Sequence, residues 1–246
     1  MPGFSSWIWL ELLVVGVFVC WTSGGPKGWK RQPLLLGGAA LVFLVGLQPA
    51  LDAAARHSVW LHCLQSALIH HLAPVLLLFA AVRESPVEAS FKKEGKGVRI
   101  WVAIVFGAMS GVWMLPQLHQ RLMDDAALYA LMKWAMALSG LWLCRVMGRY
   151  CQRADVSLRQ QWCFSLAVAL PQVLVGVMLL FSPVLYSMHG HGAMSAQLDQ
   201  GLGGVLICLS ALVLLWADRV LHRKPQPTGS AGGAGLPVRA AAPSCG

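Results

Sequence analysis

Seven long runs of apolar residues dominate this chain, at about 5–21, 34–51, 59–82, 100–118, 126–147, 162–186 and 201–217. A helix rises about 1.5 Å per residue, so each run is long enough to cross an apolar layer of about 30 Å. A membrane β-barrel would need apolar and polar residues alternating with a period of two. These runs are apolar on every face, which selects helices. Composition agrees: 57% of the 246 residues are hydrophobic and 12% are charged, against roughly 25% charged in an ordinary soluble domain. The expected fold is an all-α, polytopic membrane bundle of about seven transmembrane helices.

The connectors sort by charge. Alternate connectors and the tail carry 16 of the 19 Lys and Arg residues; the opposite set carries only Arg56 and Arg121, and Lys133 lies inside a run. Membrane proteins keep Lys and Arg on the cytoplasmic side. That rule predicts an N-terminus outside and a C-terminus in the cytoplasm, as an odd number of helices requires. It also accounts for the net charge of +9, so no nucleic-acid partner is expected; the lipid bilayer is. The first run has no preceding positive segment and no following small-residue cleavage site, so a retained helix is expected. Residues 1–224 form one predicted transmembrane domain. Residues 225–246, rich in Gly, Ala, Pro and Ser, read as a flexible cytoplasmic tail.

With that topology, most histidines fall toward the outer side. The sixth connector holds Met188, His189, His191 and Met194 with interleaved glycines. Thioether suits Cu(I), and imidazole suits both copper states. Copper is therefore the candidate metal, and a metal-free polar turn is the alternative. The third run carries His62, Gln65, Ser66, His70 and His71. Positions 62, 66 and 70 step by four along one stripe, and His62 and His70 lie about 12 Å apart along the axis. One metal ion cannot bind both. Polar side chains in a membrane are costly and face the bundle interior, where interhelical hydrogen bonding is the simpler role.

Two charges lie within runs at similar depth, Glu11 and Lys133, and an ion pair between them is expected, since an unpaired intramembrane charge costs several kcal/mol. Asp199 and Gln200 open the last helix, followed by Gly203 and Gly204. The carboxylate suits a helix N-terminus, and the glycines allow close helix approach. Pro74, Pro116, Pro171 and Pro183 mark bends. The seven cysteines include no CxxC pair. There is no GxSxG elbow, phosphate loop or dinucleotide fingerprint, so the chain is not expected to be an enzyme.

Several of these residues form a pattern. His62, two residues, Gln65 and Ser66 lead to Ala73-Pro74. Trp113-Met114-Leu115-Pro116 and Pro183-Val184-Leu185-Tyr186 follow, then Asp199-Gln200 with Gly203 and Gly204. Over about residues 60–216 this resembles the CtaG-type cytochrome c oxidase assembly factors of bacteria. In that family, a histidine stands where Ser66 is, another is expected near Met114, and a Glu-His pair lies near Lys133-Trp134. The resemblance implies a multi-helix protein of the bacterial inner membrane that helps assemble a haem–copper oxidase. Oxidase subunits or a copper chaperone would be its partners. The candidate copper ligands are then His62, Asp199, His189, His191, Met188 and Met194, with Gln65, Ser66, Ala73, Pro74, Gln200, Gly203, Gly204, Glu11 and Lys133 as structural or motif residues.

Two other functions remain open on sequence: a permease for copper or a small solute, which needs a polar path across the bilayer, and a metal-free scaffold. A haem carrier is not expected, because the mid-membrane histidines, His70 and His71, lie on one helix without a clear partner on another.

Overall fold

Proline decides where the helices break. The residue before a proline is driven out of the helical region. Gln48, before Pro49, is extended at φ −62°, ψ 129°, and Leu115, before Pro116, is extended at φ −65°, ψ 126°. Two of the seven apolar runs are thereby split. In the computed structural model, which describes residues 32–84, 96–151, 156–186 and 194–222, α1 (Pro33–Gly46) meets α2 (Pro49–Ala55) at 53°. The fourth run splits likewise into α5 (Lys96–Val112) and α6 (Pro116–Asp124), bent by 73°.

The third run stays continuous as α3 (Val59–Ser66), a π-helical stretch (Ala67–Leu72) and α4 (Ala73–Glu84). The other elements are α7 (Ala126–Cys151), α8 (Leu158–Phe181) and α9 (Ala196–His222). All are helical; the described residues contain no strand. Among the described residues four helices are long and apolar enough to span a membrane, or up to six if each bent pair counts as one span. The first predicted run lies outside the described residues, as do residues 223–246, which include the predicted tail.

The α3–α4 rod is central, packing on α1, α7 and α9, while α8 packs on α9 and α5. In a membrane the hydrophobic effect does not drive helices together, so small residues at the crossings matter. Pro74 lacks the N–H that would bond the carbonyl of His70, four residues back. α7 presents Gly140 to that carbonyl, and any Cβ at Gly140 would collide with it. At the α8–α9 crossing a Cβ on Gly204 would stand 2.6 Å from the Gly176 oxygen, and at the α3–α9 crossing one on Gly203 would stand 3.0 Å from Cys63 Sγ. The expected role of Gly203 and Gly204 in close packing is thus visible atom by atom.

The bundle has two distinct ends. One, the polar end, gathers Asp52, Ser58, His62, His119, Tyr129, Asp199 and Gln200. The other, the basic end, carries Arg99, Arg145, Arg159 and Arg219.

Candidate functional site

The polar end is built from breaks in the helices. α3 begins at Val59 after Ser58, whose side chain makes no cap to its own helix. The N–H groups at this helix start are instead met from across the bundle. Asp199, fully buried in the first turn of α9, accepts from the N–H of Val59 (2.9 Å), the N–H of Trp60 (3.0 Å) and the hydroxyl of Ser58 (2.7 Å). A carboxylate at a helix N-terminus satisfies orphan donors and complements the helix dipole. Asp199 is therefore a helix cap, and the helix it caps is α3.

Gln200 makes the matching tie on its other side. Its Nε2 donates to the Leu179 carbonyl (3.0 Å) and the Pro183 carbonyl (3.3 Å), and its Oε1 accepts from Leu185 N–H (2.7 Å). These groups lie at the C-terminal end of α8 and in the segment after it, where carbonyls lack helical partners. The Asp199-Gln200 pair thus fastens α9 to the start of α3 and the end of α8.

A second network begins at Lys133. This cation on α7 is 2% exposed and pairs with Asp52 of α2 at 2.5 Å. The other Asp52 oxygen accepts from Gln65 Nε2 (2.5 Å), which also donates to the Gly46 carbonyl (2.6 Å). Gln65 Oε1 accepts from the Tyr129 hydroxyl (2.6 Å), and that hydroxyl stands 3.2 Å from His62 Nδ1. A chain of polar groups therefore runs from Lys133 through Asp52, Gln65 and Tyr129 to His62. Among the described residues Lys133 pairs with Asp52; Glu11, the expected partner, lies outside them.

The bend at Pro116 supplies what the sequence does not announce. α6 turns back over the end of the bundle and buries His119, Leu122 and Met123. The His119 ring meets His62 edge-on, with centroids 5.0 Å apart, and lies 4.4 Å from the ring of Tyr186. The Tyr186 hydroxyl donates to the carbonyl of Met114 at 2.5 Å, next to the broken turn. Arg56 donates to the carbonyls of Met123 (2.6 Å) and Asp124 (3.2 Å), closing the C-terminal end of α6.

A cavity of about 20 Å³ lies beneath this network, enough for a water or a single ion. His62, Cys63, His71, Met109, Met114 and Met136 are among the residues that line it. Ser66 also lines it, and its hydroxyl donates to Met136 Sδ at 3.7 Å. Deeper, on the π-helical stretch, His70 Nε2 lies 3.0 Å from the Ser139 hydroxyl and His71 Nε2 lies 2.5 Å from Gln172 Oε1.

Of the residues singled out by sequence, His62, Gln65, Ser66, Lys133, Asp199 and Gln200 do converge at this end. Met194 is described, just before α9. Met188, His189 and His191 lie outside the described residues. Among the described residues no group of three or more His, Cys, Asp or Glu side chains is arranged to hold a metal. Asp52, His119, Tyr129 and Tyr186 complete the site; Tyr186 closes the Pro183-Val184-Leu185-Tyr186 motif, and His119 follows the Pro116 break by three residues.

No curated protein and no solved structure matches the chain. The model of the cytochrome c oxidase caa3 assembly factor family matches residues 12–217, most of the chain and all of the elements that build the polar end. With its apolar helices this is a multi-pass membrane protein, and the chain belongs to the cytochrome c oxidase caa3 assembly factor (CtaG) family.

Proposed function

We propose that this protein acts in the bacterial inner membrane to assemble a haem–copper oxidase, and that it handles Cu(I) as cargo at its polar end, on the outer side. The family match over residues 12–217 carries the assembly role. The copper step is supported by donor chemistry: the His62 imidazole, the Cys63 thiol and the Met109, Met114 and Met136 thioethers line one small cavity, and such soft donors suit Cu(I). His62 is the imidazole nearest the polar surface network. Met188, His189, His191 and Met194 would offer exchangeable ligands from the connector before α9, passing the ion to an oxidase subunit or a copper chaperone. Asp199 supports the site by fixing the start of α3, since its two oxygens already accept three protein donors.

One observation favours a second reading, a metal-free docking scaffold. Tyr129 lies between His62 and Gln65, and Lys133 places a buried cation on the same network. Both features serve a rigid surface as well as a metal site. The small-solute permease is disfavoured, because the cavity that touches both His62 and His71 has room for one ion and not for a solute.

The experiment is oxidase activity in membranes of a deletion strain, with and without added copper, alongside Cu(I) titration of the purified protein against a chromophoric chelator. Loss of activity rescued by copper, with Cu(I) binding weakened in His62→Ala and Met114→Ala, supports cargo handling. Loss that copper does not rescue, with no Cu(I) binding, selects the scaffold. Unchanged oxidase activity sinks the assembly role.

A further inference from the structure

A groove of about 940 Å³ opens between α5 and α8 at the basic end, away from the polar network. Gly107 and Pro171 bring the two helices together at its inner limit; a Cβ on Gly107 would stand 3.0 Å from Pro171 Cγ. From there toward the helix starts the walls are apolar, with Ile100 and Ile104 from α5 and Phe164 and Ala167 from α8. The far end of the same groove is polar and cationic, lined by Arg99, Arg159, Ser157 and Gln160.

The groove therefore has one chemistry along its length and another at its mouth. Its volume lies in the range of ligand pockets, roughly 300–1,000 Å³, far beyond what an ion fills. A soluble phosphate compound would meet the arginines and leave its polar remainder against Ile100, Ile104 and Phe164, an unfavourable burial. A neutral lipid would fill the apolar walls and gain nothing from two guanidinium groups. Arginine matches phosphate oxygens in a fork geometry, and basic pockets between transmembrane helices are a recurrent way to hold anionic headgroups. Ile100 and Ile104 are both more than half exposed, so the groove opens toward the surrounding lipid.

We propose that this groove is a binding site for an anionic phospholipid, with its phosphate between Arg99 and Arg159 and an acyl chain lying along Ile100, Ile104, Phe164 and Ala167 toward Gly107 and Pro171. The site is separate from the polar end and does not depend on copper.

The test is competition between phosphatidylglycerol and phosphatidylcholine for the purified full chain, read by native mass spectrometry of the lipid-bound protein. Two basic contacts near a membrane surface predict a preference for phosphatidylglycerol of roughly thirtyfold. The Arg99→Gln/Arg159→Gln double variant should bring the two lipids close to parity. Ala167→Trp, at an exposed groove position that keeps both arginines, should lower binding of both lipids by filling the apolar track. Glycerol phosphate, the headgroup without chains, should not compete. Equal binding of the two lipids by the unaltered protein would overturn the proposal. So would a preference that survives the double arginine variant, or one that glycerol phosphate abolishes.

Discussion

The two ends of the bundle are held by different means. At the polar end, side chains from α2, α3, α7 and α9 reach across helix boundaries, and Asp199 and Gln65 among them also meet backbone groups that would otherwise end as orphans. At the basic end the ties among the described residues run between side chains of neighbouring helices: the Ser165 hydroxyl donates to Asp218 at 2.6 Å, and Arg219 lies 4.5 Å over the Trp162 ring. The same end has the large groove. The contrast separates two uses of polarity in a membrane protein. Where helices start and stop inside the bundle, buried polar groups fix position. Where they run on to basic connectors, the helices can part and leave a groove between them.

The largest expected effect lies at Asp199. Removing its carboxylate in Asp199→Ala leaves the Val59 and Trp60 N–H groups and the Ser58 hydroxyl without that acceptor. The loss should be about 3–5 kcal/mol, because three donors lose their acceptor at about 1–3 kcal/mol for each one left buried and unsatisfied. Asp199→Asn keeps one acceptor oxygen and should lose less. Ser165→Ala, the matching lesion at the basic end, removes one donor to the Asp218 carboxylate and should cost less, about 1.5–3 kcal/mol, the value of a single hydrogen bond to a charged group. Thermal unfolding in detergent micelles measures all three. If Ser165→Ala proves as damaging as Asp199→Ala, the contrast between the ends is wrong.

Lys133 sharpens the comparison from inside the network. Its partner Asp52 is 24% exposed, so Lys133→Met should cost less than a fully buried pair, about 2–3 kcal/mol. Combining it with Asp52→Asn should cost less than the sum of the two single changes, because both remove the same pair. A coupling of about 1–2 kcal/mol is expected in the double-mutant cycle. Strict additivity would mean that the pair does not contribute as a unit.

Much of this architecture is legible from residue type alone. The runs at 59–82, 126–147, 162–186 and 201–217 overlap the four full-length span candidates, because apolar length is sufficient evidence for a span. The run at 34–51 reads as a straight helix, whereas Pro116 marks a bend in the run at 100–118; in both, the residue before the proline is extended. Proline's local effect is visible in the sequence; the bend angle is not, because it depends on what the short second helix packs against. The site divides in the same way. That Lys133 needs a carboxylate follows from the cost of a lone intramembrane charge. That the carboxylate is Asp52 does not, since the two lie 81 positions apart and no spacing connects them. Asp199 reads as a cap for its own helix. It caps α3 instead, 140 positions away from Val59, which only the packing of α9 on α3 establishes.

The smallest effect distinguishes two glycines on one helix, Gly201 and Gly204. Gly204 meets the backbone of Gly176 so closely that an added Cβ would stand 2.6 Å from its oxygen, and backbone cannot move aside as a side-chain tip can. Gly204→Ala must push α8 from α9 and should cost about 1–3 kcal/mol, the usual penalty for overpacking. Gly201 faces open space, with nothing within 4 Å of the place a Cβ would take, so Gly201→Ala should gain up to about 1 kcal/mol from helix propensity. The comparison removes composition as an explanation, because the chemical change is identical. Opposite signs in the two melting shifts would show that the polar end depends on the α8–α9 approach that lets Gln200 reach Leu179 and Leu185. Equal shifts would assign both glycines to propensity alone, leaving the Asp199-Gln200 tie as the feature that holds the two helices in register.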